Sequence, residues 1–219
     1  HQMTDKSNIK YYLEKFNLSD PWDIVDLFEK KISSYLGSKY AVSVDCCTHG
    51  IFLCLKYFKT KDVINIPENT YISLPNVINM AGYKFQFQDI DWDGDYQLYP
   101  LPIIDSACKF TKNMYKKDTY TCLSFHHRKQ LPIGRGGMIL TDDLQAYEWL
   151  KMARYDGRHL DRKYDDDNFE MPGYHMYLTP EQACIGLDRL EKLDDKGNSI
   201  GSSKTYKSLL KYNKLFNQE

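Results

Sequence analysis

Apolar residues recur at helical spacing in the first well-patterned part of the chain. This stretch begins with Asp20 and Pro21, an N-cap residue and a first-turn proline, and ends at Gly37. The run YAVSVD at residues 40–45 follows directly and has the length and composition of a buried strand. The pattern therefore predicts a helix that leads at once into a strand.

The same alternation continues along most of the chain. Further strands are predicted at residues 63–66, 84–89, 102–105, 120–125 and 138–141, and helices at residues 51–58, 70–81, 142–154, 179–193 and 204–216. Strands that alternate with helices predict an α/β fold of three layers, with a mostly parallel sheet covered by helices on both faces.

Two charged or polar stretches interrupt this pattern. Residues 155–169, YDGRHLDRKYDDDNF, are too charged for a core and predict a surface excursion, and residues 194–203 predict a turn or linker. We therefore expect one domain over residues 1–195, followed by a linker and a short helix over residues 196–219.

Composition narrows the class of protein. The 219 residues are 42% hydrophobic, enough for one large core, and the net charge of −1 gives no reason to expect a nucleic-acid partner. No apolar run approaches the roughly 18 residues that span a bilayer, and residues 1–8 lack the apolar segment of a signal peptide. We expect a soluble, cytoplasmic protein with no membrane partner.

Five of the six cysteines, at positions 46, 54, 108, 122 and 184, lie in apolar or strand-like surroundings. This setting predicts buried, reduced thiols rather than disulfides. Cys46 and Cys47 lack a companion pair at zinc spacing, so no metal site is predicted.

Candidate chemistry lies where strands end, because ligands of open α/β sheets gather beyond the carboxyl ends of the strands. The turn CCTHG begins a helix near Thr48, whose free N–H groups and dipole suit a phosphate, although for this turn taken alone an ordinary helix start is the better explanation. Asp105 ends the run in PIIDSAC. A carboxylate there would stabilise a protonated heterocyclic nitrogen, or it would simply cap the next helix.

The stretch SFHHRKQLPIGRGG supplies two more candidates, Ser124 and Lys129. The serine hydroxyl would bind phosphate. The lysine is either a surface residue or an amine that forms an imine with an aldehyde, helped by burial or by the charge of Arg128. Tyr71, in PENTY, either belongs to the core or lies over a flat cofactor. Together these four features indicate a pyridoxal phosphate enzyme.

The order and spacing of these motifs resemble the DegT/DnrJ/EryC1/StrS sugar aminotransferases, which have the fold type I of pyridoxal phosphate enzymes. The resemblance extends from about residue 20 to residue 193 and is carried by FEKKISSYLGSKYAVSVDCCTHGIFLCL, IPENTYISLPNVINMAGYKFQFQDID, IIDSAC, SFHHRKQLPIGRGGMILTDD and PGYHMYLTPEQACIGLDRLEKLD. It implies that the chain forms the large domain of that fold.

The resemblance also implies roles for individual residues. Lys129 would form the Schiff base with the cofactor and shuttle the proton, Asp105 would pair with the pyridine nitrogen, and Tyr71 would stack on the ring. The phosphate would be held by Ser124 and by the backbone of Cys47 and Thr48. In such enzymes a neighbouring subunit completes the phosphate site, which here places His175 where asparagine is common and implies a homodimer with shared active sites.

Four departures from the family pattern are visible. One is that residues 92–101, WDGDYQLYPL, replace what is usually a strand and helix unit. Cys47 replaces the usual glycine of the phosphate turn, and Cys108 replaces the residue, commonly glutamine, that contacts the phenolic oxygen of the cofactor. A thiol is a much poorer hydrogen-bond donor than an amide. Relatives also continue beyond Leu193 into a small C-terminal domain.

The resemblance implies transfer of an amino group from glutamate to a nucleotide-linked keto-deoxysugar. The departures keep a second hypothesis open, in which the chain is a catalytically altered cofactor-binding homologue or a partner subunit of a full-length aminotransferase.

Overall fold

A computed structural model of the chain describes residues 8–216. Residues 1–7, within the stretch predicted to lack a signal peptide, lie outside the described residues, as do residues 217–219. In the described part, no helix is both long and apolar enough to cross a membrane.

Seven α-helices and seven strands form the described chain. The helices are α1 (Ile9–Phe16), α2 (Pro21–Leu36), α3 (Cys47–Phe58), α4 (Ser73–Met80), α5 (Leu144–Ala153), α6 (Pro180–Glu191) and α7 (Asn213–Phe216). The strands are β1 (Tyr40–Val44), β2 (Ile64–Pro67), β3 (Phe85–Gln88), β4 (Tyr96–Gln97), β5 (Ile103–Asp105), β6 (Tyr120–Ser124) and β7 (Gly137–Thr141). Short 3-10 helices lie at Tyr164–Asp166, Ser203–Thr205 and Leu210–Tyr212.

Local capping chemistry explains the best-predicted helix boundaries. Asp20 accepts a hydrogen bond from the backbone of α2 and forms a capping box with Asp23, and Gly37 ends the helix in the left-handed conformation at φ 92°. Thr179 and Gln182 form the corresponding box at the start of α6. Both predicted helix starts are therefore confirmed.

The main sheet has the strand order β1-β7-β6-β5-β4, and β2 and β3 form a separate parallel pair. Strands β5 and β6 are parallel, whereas β7 runs antiparallel to both β1 and β6. The sheet is therefore mixed, because the loop after β6 returns the chain directly into a neighbouring strand. The α/β class with helices on both faces is confirmed, whereas the prediction of a mostly parallel sheet is wrong for the main sheet, in which three of the four described strand pairs are antiparallel.

Two apolar cores flank the sheet, since neighbouring residues of one strand contribute to different cores. In β7, Met138 and Leu140 pack with α1, α2 and α6, and Ile139 packs with α3, α4 and α5. Strands buried on both faces read as continuous apolar runs, and this explains why the central strands were predictable from the sequence.

The C-terminal segment, residues 194–216, differs from the predicted helix over residues 204–216. It crosses the domain as extended chain and short turns, and only its end is α-helical. Leu209 and Phe216 are buried, and Phe216 contacts the rings of Phe85 and Phe87. Tertiary packing of these apolar side chains determines the path of the segment.

The structure also contains two elements that the sequence pattern did not predict. Helix α1 begins at the N-cap Asn8 and buries Tyr12, and the two-residue strand β4 pairs antiparallel with β5. Strand β4 places Tyr96 opposite Asp105.

Candidate active site

The carboxyl ends of β1, β5 and β6 lie at the same edge of the sheet. Strand β6 is parallel to β5, and both β6 and β1 run antiparallel to the β7 strand between them. The ends of these strands, with the start of α3, form a cavity of about 410 Å³. This volume lies within the range of roughly 300–1,000 Å³ that is typical of small-molecule sites.

Six of the residues singled out in the sequence line this cavity: Cys47, Thr48, Tyr71, Asp105, Ser124 and Lys129. Cys108 lies beside it, in the wall of an adjoining cavity of about 20 Å³ that Tyr71 and Asp105 also line. His175 lies elsewhere: its side chain is 71% exposed and its Nδ1 lies 3.0 Å from Asp156 Oδ2. The structure therefore brings seven of the eight candidates together.

Asp105 is buried at the end of β5 and its hydrogen-bond donors are neutral groups. In the described chain they are the Tyr96 hydroxyl at 2.7 Å and the Ala107 N–H at 3.0 Å, with the Cys47 thiol at 3.9 Å. Burial raises the pKa of Asp105, and these hydrogen bonds offset only part of that effect. A cationic partner bound in the cavity would relieve the cost of ionising this carboxyl group.

Lys129 is half-buried in the loop after β6. Its Nζ lies 3.7 Å from Cys108 Sγ, and its positive charge favours ionisation of Asp105. The loop returns to the sheet through Gly134, whose φ of 96° is accessible to glycine at no steric cost. The amine and the buried carboxyl group therefore face the same cavity.

The first turn of α3 has backbone N–H groups without a partner inside the helix, and its residues Cys47 and Thr48 line the cavity. The N-cap of α3, Cys46, makes no side-chain capping hydrogen bond. Gly137 of β7 approaches closely here, since a Cβ atom would lie 2.6 Å from the backbone nitrogen of Cys47. These features suit an anion.

Side chains near the start of α3 add positive charge. His49 Nδ1 lies 2.6 Å from Asp45 Oδ1, and this hydrogen bond raises the pKa of His49 to about 9. Arg135 lines the cavity and donates to Asp45 at 3.0 Å. Burial opposes ionisation of Asp45, but the hydrogen bonds from His49 and Arg135 outweigh it and lower the pKa. At neutral pH two cations therefore flank one carboxylate.

Asp45, Cys46 and His49 bring three possible metal-ligand atoms within 4.8 Å of one another. The carboxylate is already ion-paired with His49 and Arg135, so we assign this cluster to the electrostatics of the helix start. Cys46 is only partly exposed there, whereas the other five cysteines are buried. The prediction of a buried thiol is thus wrong for Cys46, because it is the N-cap residue at the cavity.

Three residues of the site were missed by sequence reasoning. Arg135 stands within the stretch that contains Lys129, so its proximity was a usable signal. Tyr96 donates to Asp105 from a strand of two residues, too short to show a pattern. Tyr206 lines the cavity from the C-terminal segment, and nothing local to its sequence indicates that position.

Known proteins resemble this chain in sequence. The model of the DegT/DnrJ/EryC1/StrS aminotransferase family matches residues 4–112 and 107–217. A spore coat polysaccharide biosynthesis protein, SpsC, of Bacillus subtilis is 27% identical over 78% of this chain and 57% of its own length. A UDP-4-amino-4,6-dideoxy-N-acetyl-beta-L-altrosamine transaminase of Campylobacter jejuni is 24% identical over 89% of this chain and 64% of its own length. The chain therefore spans less than two thirds of the length of these relatives.

Solved structures resemble the fold. AtS13 from Actinomadura melliaura has a TM-score of 0.69 and 18% identity, with 85% of this chain and 64% of that chain covered. PseC of Helicobacter pylori, an aminotransferase involved in the biosynthesis of pseudoaminic acid, has a TM-score of 0.62 and 19% identity. The match covers 77% of this chain and 57% of that chain. At these identities the likeness shows the shared fold.

Proposed function

The chain belongs to the DegT/DnrJ/EryC1/StrS aminotransferase family, and on that premise we propose that it binds pyridoxal 5'-phosphate and acts as an aminotransferase. The observation that carries this proposal is the convergence of Lys129 and buried Asp105 on one cavity. The proposed amino donor is glutamate, and the proposed acceptor is a nucleotide-linked keto-deoxysugar. A relative named as a UDP-amino-sugar transaminase supports this substrate class.

The chemistry of the donor groups fits this cofactor. Asp105 is a buried carboxyl group with neutral partners, which suits a protonated pyridine nitrogen. The start of α3, with Thr48, Ser124 and the charge of Arg135, suits the phosphate. Lys129 supplies the primary amine, and Tyr71, which is 61% exposed at the cavity, offers a ring face.

When bound, pyridoxal phosphate supplies an electron-withdrawing ring that stabilises negative charge at the substrate carbon that loses a proton. In our proposal, Asp105 keeps the ring nitrogen protonated and so maintains that electron withdrawal. Lys129 would hold the cofactor through its aldehyde, and its amine would carry the proton to and from the substrate carbon. Tyr71 covers the ring and limits access of water.

His175 has a different proposed role. It lies outside the cavity and is largely exposed, as expected for a residue that would complete the phosphate site of a second copy. We therefore propose a homodimer with shared active sites.

Cys108 favours the second candidate, a catalytically altered cofactor-binding homologue or a partner subunit of a longer aminotransferase. Its thiol stands beside Lys129, where a weak donor replaces an amide. This candidate predicts cofactor binding without amino transfer.

Visible spectroscopy separates these alternatives. Pyridoxal phosphate is added to the wild type and to Lys129→Ala, and spectra are recorded with and without glutamate. The aminotransferase proposal predicts a visible band that requires Lys129 and a glutamate-dependent spectral change with release of 2-oxoglutarate. A band that glutamate leaves unchanged would support the second candidate, and absence of a band in the wild type would contradict both.

A further inference from the structure

Tyr206 is brought to the cavity by the C-terminal segment. That segment is fixed next to Cys108, because the Ile200 N–H donates to the Cys108 carbonyl at 2.9 Å. Gly201 packs against the same residue so closely that a Cβ atom there would lie 2.7 Å from Cys108 Sγ. The Tyr206 carbonyl accepts a hydrogen bond from Asn69 at 2.9 Å. The position of Tyr206 is therefore determined on both sides by contacts with the domain.

The hydroxyl group of Tyr206 is suited to donating a hydrogen bond. It lies 3.4 Å from Cys108 Sγ, and the ring centroid lies 5.7 Å from that of Trp92. Burial raises the pKa of Tyr206, as do Cys108 and the charge of Asp105, so the hydroxyl keeps its proton. A half-buried phenol beside a thiol has a weak partner, and an oxygen anion would be a better one.

The Cys108 thiol contacts both Tyr206 and Lys129. Its sulfur lies 3.4 Å from the phenolic oxygen and 3.7 Å from the lysine nitrogen. In pyridoxal phosphate the ring carbon that carries the aldehyde is adjacent to the one that carries the phenolic oxygen. A cofactor attached to Lys129 would have that oxygen next to the lysine nitrogen, and the structure places a thiol and a phenol near this nitrogen.

We propose that Tyr206 donates a hydrogen bond to the phenolic oxygen of pyridoxal phosphate held by Lys129. This inference rests on the proposed function. It gives the C-terminal segment the hydrogen bond to the phenolic oxygen, for which the Cys108 thiol is only a weak donor. The hydrogen bond stabilises negative charge on the oxygen. That charge otherwise attracts a proton to the nitrogen that joins Lys129 to the cofactor, so loss of the hydroxyl makes the nitrogen more basic.

The test is a spectroscopic pH titration of cofactor-loaded protein, together with equilibrium dialysis of pyridoxal phosphate. Tyr206→Phe keeps the ring and removes the hydroxyl, and Tyr212→Phe is the matched control, since its hydroxyl lies 3.4 Å from Lys207 in the same segment. For Tyr206→Phe we expect the titration midpoint to rise by about one pH unit and the affinity to fall about tenfold, as for the loss of one charge-assisted hydrogen bond. The control should match the wild type.

An unchanged midpoint and affinity in Tyr206→Phe, with a normal visible band, would overturn the assignment of Tyr206 and leave the proposed function intact. Cys108→Ala is the second variant: if it alone shifts the midpoint, the thiol is the donor and the assignment is wrong. Absence of the band in the wild type would instead overturn the proposed function, and with it this inference. Thermal unfolding of each variant excludes loss of the fold.

Discussion

The hydroxyl of Tyr96 donates a hydrogen bond to Asp105 Oδ2 at 2.7 Å, and both residues are buried. The Tyr96 oxygen also lies 2.6 Å from Thr70 Oγ1. A two-residue strand thus supplies the donor that orients the carboxyl group proposed to contact the cofactor nitrogen. In the described chain no cation is hydrogen-bonded to Asp105. A cation bound in the cavity would therefore lower the cost of ionising this buried carboxyl group.

Removal of this donor should weaken both the fold and the site. Tyr96→Phe removes the hydroxyl that donates to Asp105 and contacts Thr70, although the Ala107 N–H still donates to Asp105. We therefore expect the free energy of unfolding to fall by about 1–2 kcal/mol and pyridoxal phosphate to bind several-fold more weakly. Chemical denaturation and equilibrium dialysis measure the two effects. Tyr83→Phe, which removes a hydroxyl that donates to the Leu55 carbonyl, is the control and should keep cofactor affinity unchanged. Equal affinity losses in the two variants would contradict a specific role for Tyr96.

Asp105→Asn should affect stability and binding in opposite directions. The folded-state pKa of Asp105 is raised by burial, so the folded protein binds the proton more tightly than the unfolded chain. Stability of the wild type without cofactor therefore falls as pH rises above the ordinary pKa of an aspartate. At pH 7.5 we expect the variant to gain on the order of 1 kcal/mol by avoiding desolvation of the charge.

The same variant should bind pyridoxal phosphate at least tenfold more weakly, because an amide cannot neutralise a protonated ring nitrogen. Cofactor-free denaturation at pH 5 and pH 7.5, with dialysis at pH 7.5, checks both parts. A variant that is destabilised equally at both pH values and retains full affinity would show that Asp105 has only a structural role.

His49 should give the protein without cofactor a pH-dependent stability. Its pKa is raised from 6.5 to about 9 in the folded state by the hydrogen bond to Asp45, so its contribution is complete below pH 6.5 and is lost as pH rises to about 9. We expect the free energy of unfolding of the wild type to exceed that of His49→Gln by about 1 kcal/mol at pH 6 and by almost nothing at pH 9.5. The difference at pH 6 is small because the ion pair is partly solvated. Denaturation of both proteins across this range measures the difference. His127→Gln, at an exposed position, is the control substitution. If the stability difference between the wild type and His49→Gln did not change with pH, the proposed role of His49 would be contradicted.

Ser124 should contribute to binding of the phosphate rather than of the ring. Ser124→Ala is expected to weaken binding of pyridoxal phosphate about tenfold, as for one hydrogen bond to a charged group, and to leave pyridoxal binding unchanged. Isothermal titration with the two compounds separates these contributions. Ser19→Ala, at an exposed position between α1 and α2, is the matched control. A similar loss for both compounds would place Ser124 away from the phosphate.

The central parts of the fold were predictable because their determinants are local. Helix α2 has a capping box at Asp20 and a left-handed glycine at its end, and β6 and β7 are apolar on both faces. Strand β4 and the path of residues 194–216 were not predictable, because pairing with β5 and burial of Leu209 and Phe216 determine them.

The candidate site also combines residues that local sequence identifies with residues that only tertiary packing places. Asp105 and Ser124 are the last residues of β5 and β6, and Lys129 lies in the loop after β6, so all three could be recognised as candidates from their position. Tyr96 and Tyr206 reach the cavity through tertiary contacts that no local pattern encodes. Residues from the ends of strands are thus found by sequence reasoning, whereas residues that support or complete them need the structure.

Covalent mapping identifies the lysine that binds the cofactor. The protein is incubated with pyridoxal phosphate and reduced with borohydride, and the modified lysine is located by mass spectrometry of proteolytic peptides. Lys129→Ala and the exposed-site variant Lys61→Ala are treated in parallel. We predict one stoichiometric modification at Lys129 in the wild type and in Lys61→Ala, and its loss in Lys129→Ala. Absence of modification at Lys129, or stoichiometric modification of a different lysine, would contradict the proposed active site.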